Sequence, residues 1–365
     1  MLNYADLQFY RRGRGDFVQA RQMVLKLSYD NKDISTDIEK YVKSVEFNDS
    51  VSNEADDISI TLEDRKELWE NDWFPEKGAT LKASFVAVNW SGAGNVELPL
   101  GTFEVDQIEI SGLPHEVKIK AVSVPNNNNL RDVKKNKSWE KIKLSALAKE
   151  IADNAGMKLY LNLREDDEID RVEQNEESDL EVLIRVAKEK NYGIRISDSQ
   201  LDVYYIPDLD NAEAVATIKK LYGNVSSYSF KSKTRDTYKS AHVRYENTKQ
   251  GNFIEYTFDD PDKKEGKVLE IHKKVENVAE AEKLAKAELR DKNKDEITGD
   301  ISFAGMMKVS DSDTSQRNLW LAGFTVKLEG FHVFDGKYLV TNSSHSLSRN
   351  GYQCSIQIRK CLNGY

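Results

Sequence analysis

Alternation of apolar and polar residues in steps of two is the feature that most constrains the fold of this chain. It recurs in short segments near both ends of the 365 residues. In residues 55–62 (ADDISITL), Ile58, Ile60 and Leu62 fall on one face, and hydroxyl side chains lie between them. Successive side chains of a strand point to opposite faces, so this pattern predicts a half-buried strand. Many such strands, spaced about 8–12 residues apart, favour a β-sandwich or a β-barrel.

Strands of this kind are predicted on both sides of a central section. A Gly-rich stretch at residues 89–95 (NWSGAGN) predicts a hairpin tip between two of them. The other predicted strands are residues 20–29, 42–48, 79–89, 100–110, 116–124, 226–232, 241–245, 252–258, 296–303, 320–328, 338–346 and 352–358.

The central section differs because its apolar residues follow helical spacing. The polar run at residues 125–129 (PNNNN) predicts a domain boundary. After it, Leu144, Leu147 and Ile151 predict one face of a helix that ends at Gly156. The polar stretch and this helix indicate that a separate α/β or α+β domain begins near residue 126.

A second central helix and a later third one are marked by their first residues. Ser178 with Glu181 forms a capping box, which predicts a helix that runs to about residue 190. A hairpin is predicted over residues 194–205. Asn277 is the predicted N-cap of a third helix, residues 278–294, whose small apolar side is expected to pack flat on a sheet.

Charge and cysteine content exclude several classes of protein. The chain has 53 basic and 62 acidic residues and a net charge of -9, which argues against sequence-independent binding to nucleic acid. It has no run of about 18–20 apolar residues, so no membrane span is predicted. No Sec signal is visible at the N-terminus. Cys354 and Cys361 are too few for a disulfide framework, and we expect both to be free thiols.

The usual motifs of catalytic and metal sites are missing from the sequence. Two aspartates, Asp311 and Asp313, resemble the start of a calcium loop, but Gln316 occupies the position that needs Gly and Ala322 the position that needs Glu. Neither GxSxG nor GxxxxGK[ST] occurs. No catalytic, cofactor-binding or metal residue, and no cofactor, is therefore predicted. The histidines lack ligand spacing and are expected to be structural: His115, His242, His272, His332 and His345.

One strongly basic cluster remains, formed by Arg11, Arg12 and Arg14 near the N-terminus. Two interpretations of it stay open. The arginines could meet an acidic neighbouring subunit, or they could be solvated and have no role.

Three stretches of sequence together resemble a known family. Residues 172–204 (VEQNEESDLEVLIRVAKEKNYGIRISDSQLDVY) follow the first central helix and combine a Gln-Asn pair, a Ser-Asp cap, a helix that ends at Gly193, and a hairpin. Residues 319–331 (LWLAGFTVKLEGF) and 336–358 (GKYLVTNSSHSLSRNGYQCSIQI) resemble closing strands. In their order and spacing, these motifs resemble the baseplate hub proteins of contractile phage tails, the late control D family.

The resemblance implies a fold that is mainly β with an α+β insertion. Two tail-tube-like β-barrel domains are expected at residues 1–125 and 213–365, and a small two-helix α/β domain at 126–212. A homotrimer of such chains would present six similar barrels, and so adapt a six-fold tail tube to a three-fold central spike.

The same resemblance implies partners and a location. The expected partners are the tail tube protein or a tube initiator, the central spike protein and baseplate wedge proteins, with no specific nucleic-acid binding. The expected location is the baseplate of a virion or tail-like particle, assembled in the bacterial host cytoplasm. The resemblance points to a structural protein rather than an enzyme. Two alternatives stay open: a tail-associated cell-wall hydrolase and a host-surface binding module.

Overall fold

The computed structural model describes most of the chain. The described residues are 9–11, 17–19, 22–51, 55–89, 95–123, 130–131, 133–197, 199–220, 225–247, 252–305 and 321–365. The Gly-rich tip at 90–94, the polar run at 125–129, two of the three N-terminal arginines and the acidic segment 311–313 lie outside them. No described helix is both long and apolar enough to cross a membrane.

Strands make up most of the regular structure. The strands are β1 (Phe9–Arg11), β2 (Phe17–Gln19), β3 (Gln22–Tyr29), β4 (Lys32–Asp33), β5 (Val42–Ser50), β6 (Asp57–Glu63), β7 (Thr80–Val88), β8 (Val96–Ser111), β9 (Glu116–Val122), β10 (Lys135–Lys143), β11 (Lys158–Asn162), β12 (Glu168–Glu177), β13 (Tyr192–Ser197), β14 (Gln200–Tyr205), β15 (Ala216–Lys219), β16 (Val225–Ser232), β17 (Tyr238–Asn247), β18 (Asn252–Asp259), β19 (Lys267–Ile271), β20 (Ile297–Ala304), β21 (Thr325–Glu329), β22 (Gly336–Ser348) and β23 (Gly351–Lys360). The helices are α1 (Ser35–Ile38), α2 (Leu144–Asn154), α3 (Asp179–Glu189), α4 (Ile206–Asn211) and α5 (Val278–Asn293), and a 3-10 turn spans His332–Phe334.

One sheet of 13 strands, here called the main sheet, joins the two ends of the chain. Its hydrogen-bonded order is β16-β20-β23-β22-β5-β6-β9-β8-β7-β3-β4, with β15 and β21 beside β22. The join is the antiparallel pair β5–β22, in which Ser50 lies opposite Asn342 and Ser44 opposite Ser348. The first and last parts of the chain therefore form a single structure.

The main sheet curls, so that strands far apart in its order face each other. The ring of Phe85 on β7 lies edge-on to the ring of Tyr352 on β23, with centroids 5.9 Å apart. The ring of Phe47 on β5 lies edge-on to the ring of Phe103 on β8, with centroids 6.1 Å apart, although two strands separate β5 from β8 in the order. Buried side chains from both ends of the chain form one hydrophobic cluster. Burial of this shared apolar surface stabilises the pairing of the two ends.

The fold is mainly β, as the sequence predicts, because strands cover far more of the described residues than helices do. The two expected barrels are not found as closed units among the described strands, because no pair joins the terminal strands of the order into a ring. One edge of β22 explains why the strands from the two ends of the chain form one continuous sheet. This edge pairs with β21 over residues 336–339 and with β5 over residues 342–348, so it carries the sheet from one group to the other.

The middle module, residues 130–205, has its own core. The buried faces of α2 and α3 include Leu147, Ile151 and Leu183, and pack with the sheet β11-β14-β13. The capping box is confirmed: Ser178 Oγ accepts from Glu181 N–H at 3.2 Å, and Ser178 N–H donates to Glu181 Oε2 at 2.7 Å. The sequence pattern missed the ribbon β10–β12, because most of its side chains are charged and exposed.

A third core lies between α5 and the small sheet β18-β17-β19, together called the α5 unit. Asn277 caps α5 as predicted, since its Oδ1 accepts from Glu280 N–H at 2.9 Å. The helix lies flat on the sheet, with the small side chains Ala281 and Ala285 fully buried. Alanine faces let helix and sheet approach closely, which explains the modest apolar side seen in the sequence.

Candidate functional site

A buried ionic contact joins the main sheet to the middle module. Arg195 on β13 donates from Nη2 to Asp49 Oδ1 on β5 at 2.5 Å, and its Nη2 lies 3.6 Å from Asp56 Oδ2. The other oxygen of Asp49 accepts from Ala322 N–H at 2.8 Å, and Asp56 Oδ1 accepts from Ser50 N–H at 3.3 Å. We call this group the Asp49 contact. It fixes the middle module against the strand that joins the two ends of the chain.

In the Asp49 contact, the carboxyl groups of Asp49 and Asp56 share the guanidinium of Arg195 in the protein interior. Burial raises the pKa of Asp49, although the Arg195 guanidinium opposes the rise. Burial and the adjacent Asp49 carboxylate raise the pKa of Asp56 to about 8. Both shifts favour an arrangement in which the two acids share one proton, so that one negative charge faces one guanidinium.

Backbone contacts extend this junction. Ser123 Oγ donates to the carbonyl of Ile196 at 2.9 Å, and Ala55 forms a parallel bridge with the same residue. Tyr204 of β14 donates its hydroxyl to the carbonyl of Val51. Hydrogen bonds on both strands of the β13–β14 hairpin attach the hairpin to the main sheet.

A second buried ionic group, the Asp210 contact, joins three parts of the molecule. Asp210 on α4 accepts from Arg290 of α5 and, at 2.7 Å, from Arg359 Nη1 of β23. All three side chains are at most 5% exposed. Burial, and next the Arg359 guanidinium, lower the pKa of Arg290. Two buried cations depend on one carboxylate, so Asp210 fixes the α5 unit against the end of the main sheet.

The third element of the site is the edge strand β16. Among the described strands it pairs only with β20. Lys233 N–H, directly after it, donates to Glu296 O at 2.9 Å, so residues 229 and 231 are the hydrogen-bonded partners of β20. The N–H and C=O groups of Tyr228 and Phe230 consequently point away from the sheet. They can pair with a strand from another chain.

Among the described residues, no group of three or more His, Cys, Asp or Glu side chains could hold a metal ion. His345 is structural, as expected: its Nδ1 lies 2.7 Å from the Tyr352 hydroxyl and its Nε2 lies 3.2 Å from Ser343 Oγ. Cys354 and Cys361 are free and buried.

Sequence reasoning missed both ionic contacts. Asp49 had a usable signal, because it continues the apolar face of β5 after Val45 and Phe47. A carboxylate at that position of the alternation indicates a buried acid that needs a cation. Asp56 had the same signal, since it lies two positions before Ile58 on the apolar face of β6, whereas Asp210 had none among the 62 acidic residues.

Comparison with known proteins gives one relative in sequence. The chain is 30% identical over 178 residues to the "Probable baseplate hub protein" of Escherichia phage P2, a match that covers 46% of this chain. The match spans 41% of that relative, less than half of its length. No family model matches the chain.

Solved structures share the fold over almost the whole chain. A tail protein from Neisseria meningitidis MC58 has a TM-score of 0.69 at 14% identity, covering 93% of this chain and 96% of its own. The 43 kDa tail protein of prophage MuSo2 from Shewanella oneidensis has a TM-score of 0.67 at 14% identity, covering 93% and 98%. A component of the E. coli type VI secretion system has a TM-score of 0.52 at 14% identity, covering 87% and 73%. The resemblance to a baseplate hub protein of a phage tail is thus confirmed in sequence over the matched segment, and the fold is shared with solved tail proteins over nearly the whole chain.

Proposed function

We propose that this chain is the structural hub of a contractile-tail baseplate. Three copies form a trimer that adapts the six-fold tail tube to the three-fold central spike. The chain contacts the tail tube protein or a tube initiator, the spike protein and the baseplate wedge proteins. It resides in the baseplate of a virion or tail-like particle and is assembled in the host cytoplasm. Its task is mechanical, without catalysis.

The observation that carries this proposal is the main sheet itself. Its two ends, β16 and the β3–β4 pair, have no further partner strand among those described. A natural protein usually blunts such edges, and an edge left open is suited to pairing with another chain. Sheet edges at opposite ends of one protomer allow copies to join in a ring.

The proposed domains are residues 1–125 and 213–365 as tube-like parts and 126–212 as the inserted α/β domain. A core separate from that of the main sheet supports the inserted domain. The α5 unit supports a subdivision of the last part, since its core is also separate. The two buried ionic contacts suit a load-bearing role, because they resist sliding of one module on another.

The proposal is tested by assembly. Analytical ultracentrifugation of the purified chain, alone and with its tube and spike partners, should give the mass of a trimer at micromolar concentration. Electron microscopy of the complex with the tube protein should show a ring with three-fold symmetry. A monomer in the presence of both partners would contradict the proposal.

Edge-strand variants make the test specific to β16. Tyr228→Pro removes an N–H that points outward, and so should weaken self-association while the chain stays folded. Tyr228→Ala is the matched control, because it removes the same ring from its contacts with Phe230 and Phe331 but keeps the N–H. Equal trimer yields for the two variants would exclude β16 from the interface.

A further inference from the structure

An apolar groove lies beside the C-terminal end of β3, away from the site described above. Its volume is about 500 Å³. The floor consists of side chains of the main sheet that are almost fully buried, among them Leu27, Ile60 and Leu62. Its outer wall carries Trp73 and Phe74, which are 38% and 50% exposed. Such a concave apolar surface is suited to an apolar side chain from another segment.

One polar group within this groove lacks a partner in the part of the chain that the structure describes. Trp69 lines the groove and is 6% exposed, and its indole Nε1–H has no hydrogen-bond acceptor among the described residues. A buried donor without an acceptor costs about 1–3 kcal/mol. An occupant that brings a carbonyl or hydroxyl oxygen to Trp69 Nε1 would remove that cost.

The rim of the groove is acidic. Four exposed carboxylates, Asp30, Asp37, Asp72 and Glu76, line it against a single lysine, Lys32. The occupant that fits therefore combines an apolar anchor with flanking cations.

One segment of this chain has that composition. Residues 1–20 (MLNYADLQFYRRGRGDFVQA) combine several aromatic residues with the cluster Arg11, Arg12 and Arg14. Within this segment β1 and β2 pair with each other and with no other described strand. A two-stranded hairpin alone is marginally stable in water, so it needs a surface to pack on.

The segment of the same copy joins β3 at the end away from the groove. The chain enters β3 at Gln22 and reaches the groove only at Leu27 and Tyr29, about 23 Å further along at ~3.3 Å per residue. The segment would have to double back along the whole of β3. A second copy has no such constraint.

We propose that the groove binds the N-terminal segment, residues 1–20, of a second copy of this chain. An aromatic side chain of the segment enters the groove, and its arginines face the carboxylates of the rim. The proposal rests on the self-association proposed above and identifies one contact within it. It also selects the first of the two interpretations of the arginine cluster, in which the arginines meet an acidic neighbouring subunit.

Photocrosslinking between two distinguishable copies tests this contact. One copy lacks residues 1–20, has an affinity tag and carries p-benzoylphenylalanine in place of Phe74. It is co-expressed with the untagged full chain. Irradiation should give a tagged–untagged adduct whose crosslinked peptide lies within residues 1–20. The control carries the same probe in place of Val333, which is 82% exposed and does not line the groove, and should give no adduct with that segment.

Sedimentation of the same mixture separates the two proposals. Associated copies that give no adduct, or an adduct outside residues 1–20, would overturn the groove assignment and leave the trimer intact. Copies that fail to associate would overturn both. The same probe at residue 74 of a full-length copy tests whether the segment comes from the same copy. An adduct formed only within that copy's own chain would overturn the groove assignment.

Charge variants provide a second measurement on the same mixture. Asp37→Asn with Asp72→Asn should lower the adduct yield at low salt about two- to fivefold, as expected from the loss of exposed ion pairs. Asp170→Asn, an exposed acid outside the groove, is the matched control and should leave the yield unchanged. Equal losses in both would contradict the electrostatic part of the proposal.

Discussion

The Asp210 contact yields the sharpest prediction about stability. Asp210→Asn keeps the shape of the side chain but removes the negative charge that two buried guanidinium groups share. Asp210, Arg290 and Arg359 are 2%, 3% and 5% exposed, so water cannot replace the lost charge. Removing one partner of a buried ion pair costs about 3–5 kcal/mol. We expect a loss of that size in the free energy that holds α4, α5 and β23 together.

The assay is amide hydrogen exchange, because it reports on each part of the molecule separately. At about 1.4 kcal/mol per factor of ten, exchange in α5 and β23 should accelerate about a hundredfold to a few thousandfold. The matched control is Asp208→Asn on the same short helix. Asp208 pairs with Arg164, which is 65% exposed, and such a surface pair contributes about 0–1 kcal/mol. Similar exchange in the two variants would refute the reasoning.

Three further predictions concern other groups. Because the folded-state pKa of Asp56 is raised to about 8, the contribution of this group to the free energy of unfolding should fall as the pH rises from about 4 to about 8, so in urea unfolding Asp56→Asn should gain stability relative to the wild-type chain between pH 5 and pH 8; a difference between the two proteins that is independent of pH would contradict it. Ser178→Ala should destabilise α3 by about 1 kcal/mol in the same assay, since Glu181 N–H loses its acceptor, and an unchanged midpoint would count against the cap. Burial raises the pKa of both Cys354 and Cys361 to about 12, so Ellman's reagent at pH 8 should label neither thiol in the native protein and both after unfolding, and rapid labelling of the native protein would disprove the burial.

Local features of the fold followed from the sequence. The strand pattern at 55–62 became β6, and the helix starts at Ser178 and Asn277 lie where their caps predicted. These features depend on residues two to four positions apart, which any short window of sequence contains. The charged ribbon β10–β12 was missed because its pairing brings few apolar side chains inside, so no alternation marks it.

The resemblance to hub proteins could also be recognised from the sequence, because its motifs follow one another in a defined order and spacing. The contacts of the candidate site could not be predicted from the sequence. Arg195 and Asp49 are 146 positions apart, and Arg359 and Asp210 are 149 apart. No periodicity connects such distant residues.

The sequence by itself determined most of the longer strands of the main sheet and the helices α2, α3 and α5, because the side-chain period and the helix caps are local properties. Tertiary structure alone decided that β5 and β22 pair, that the two ends of the chain share one curled sheet, and that particular acids become buried partners of particular arginines. The physical reason is that strand pairing and burial of charge are contacts between remote segments. Their free energies depend on the surface that the whole chain removes from water.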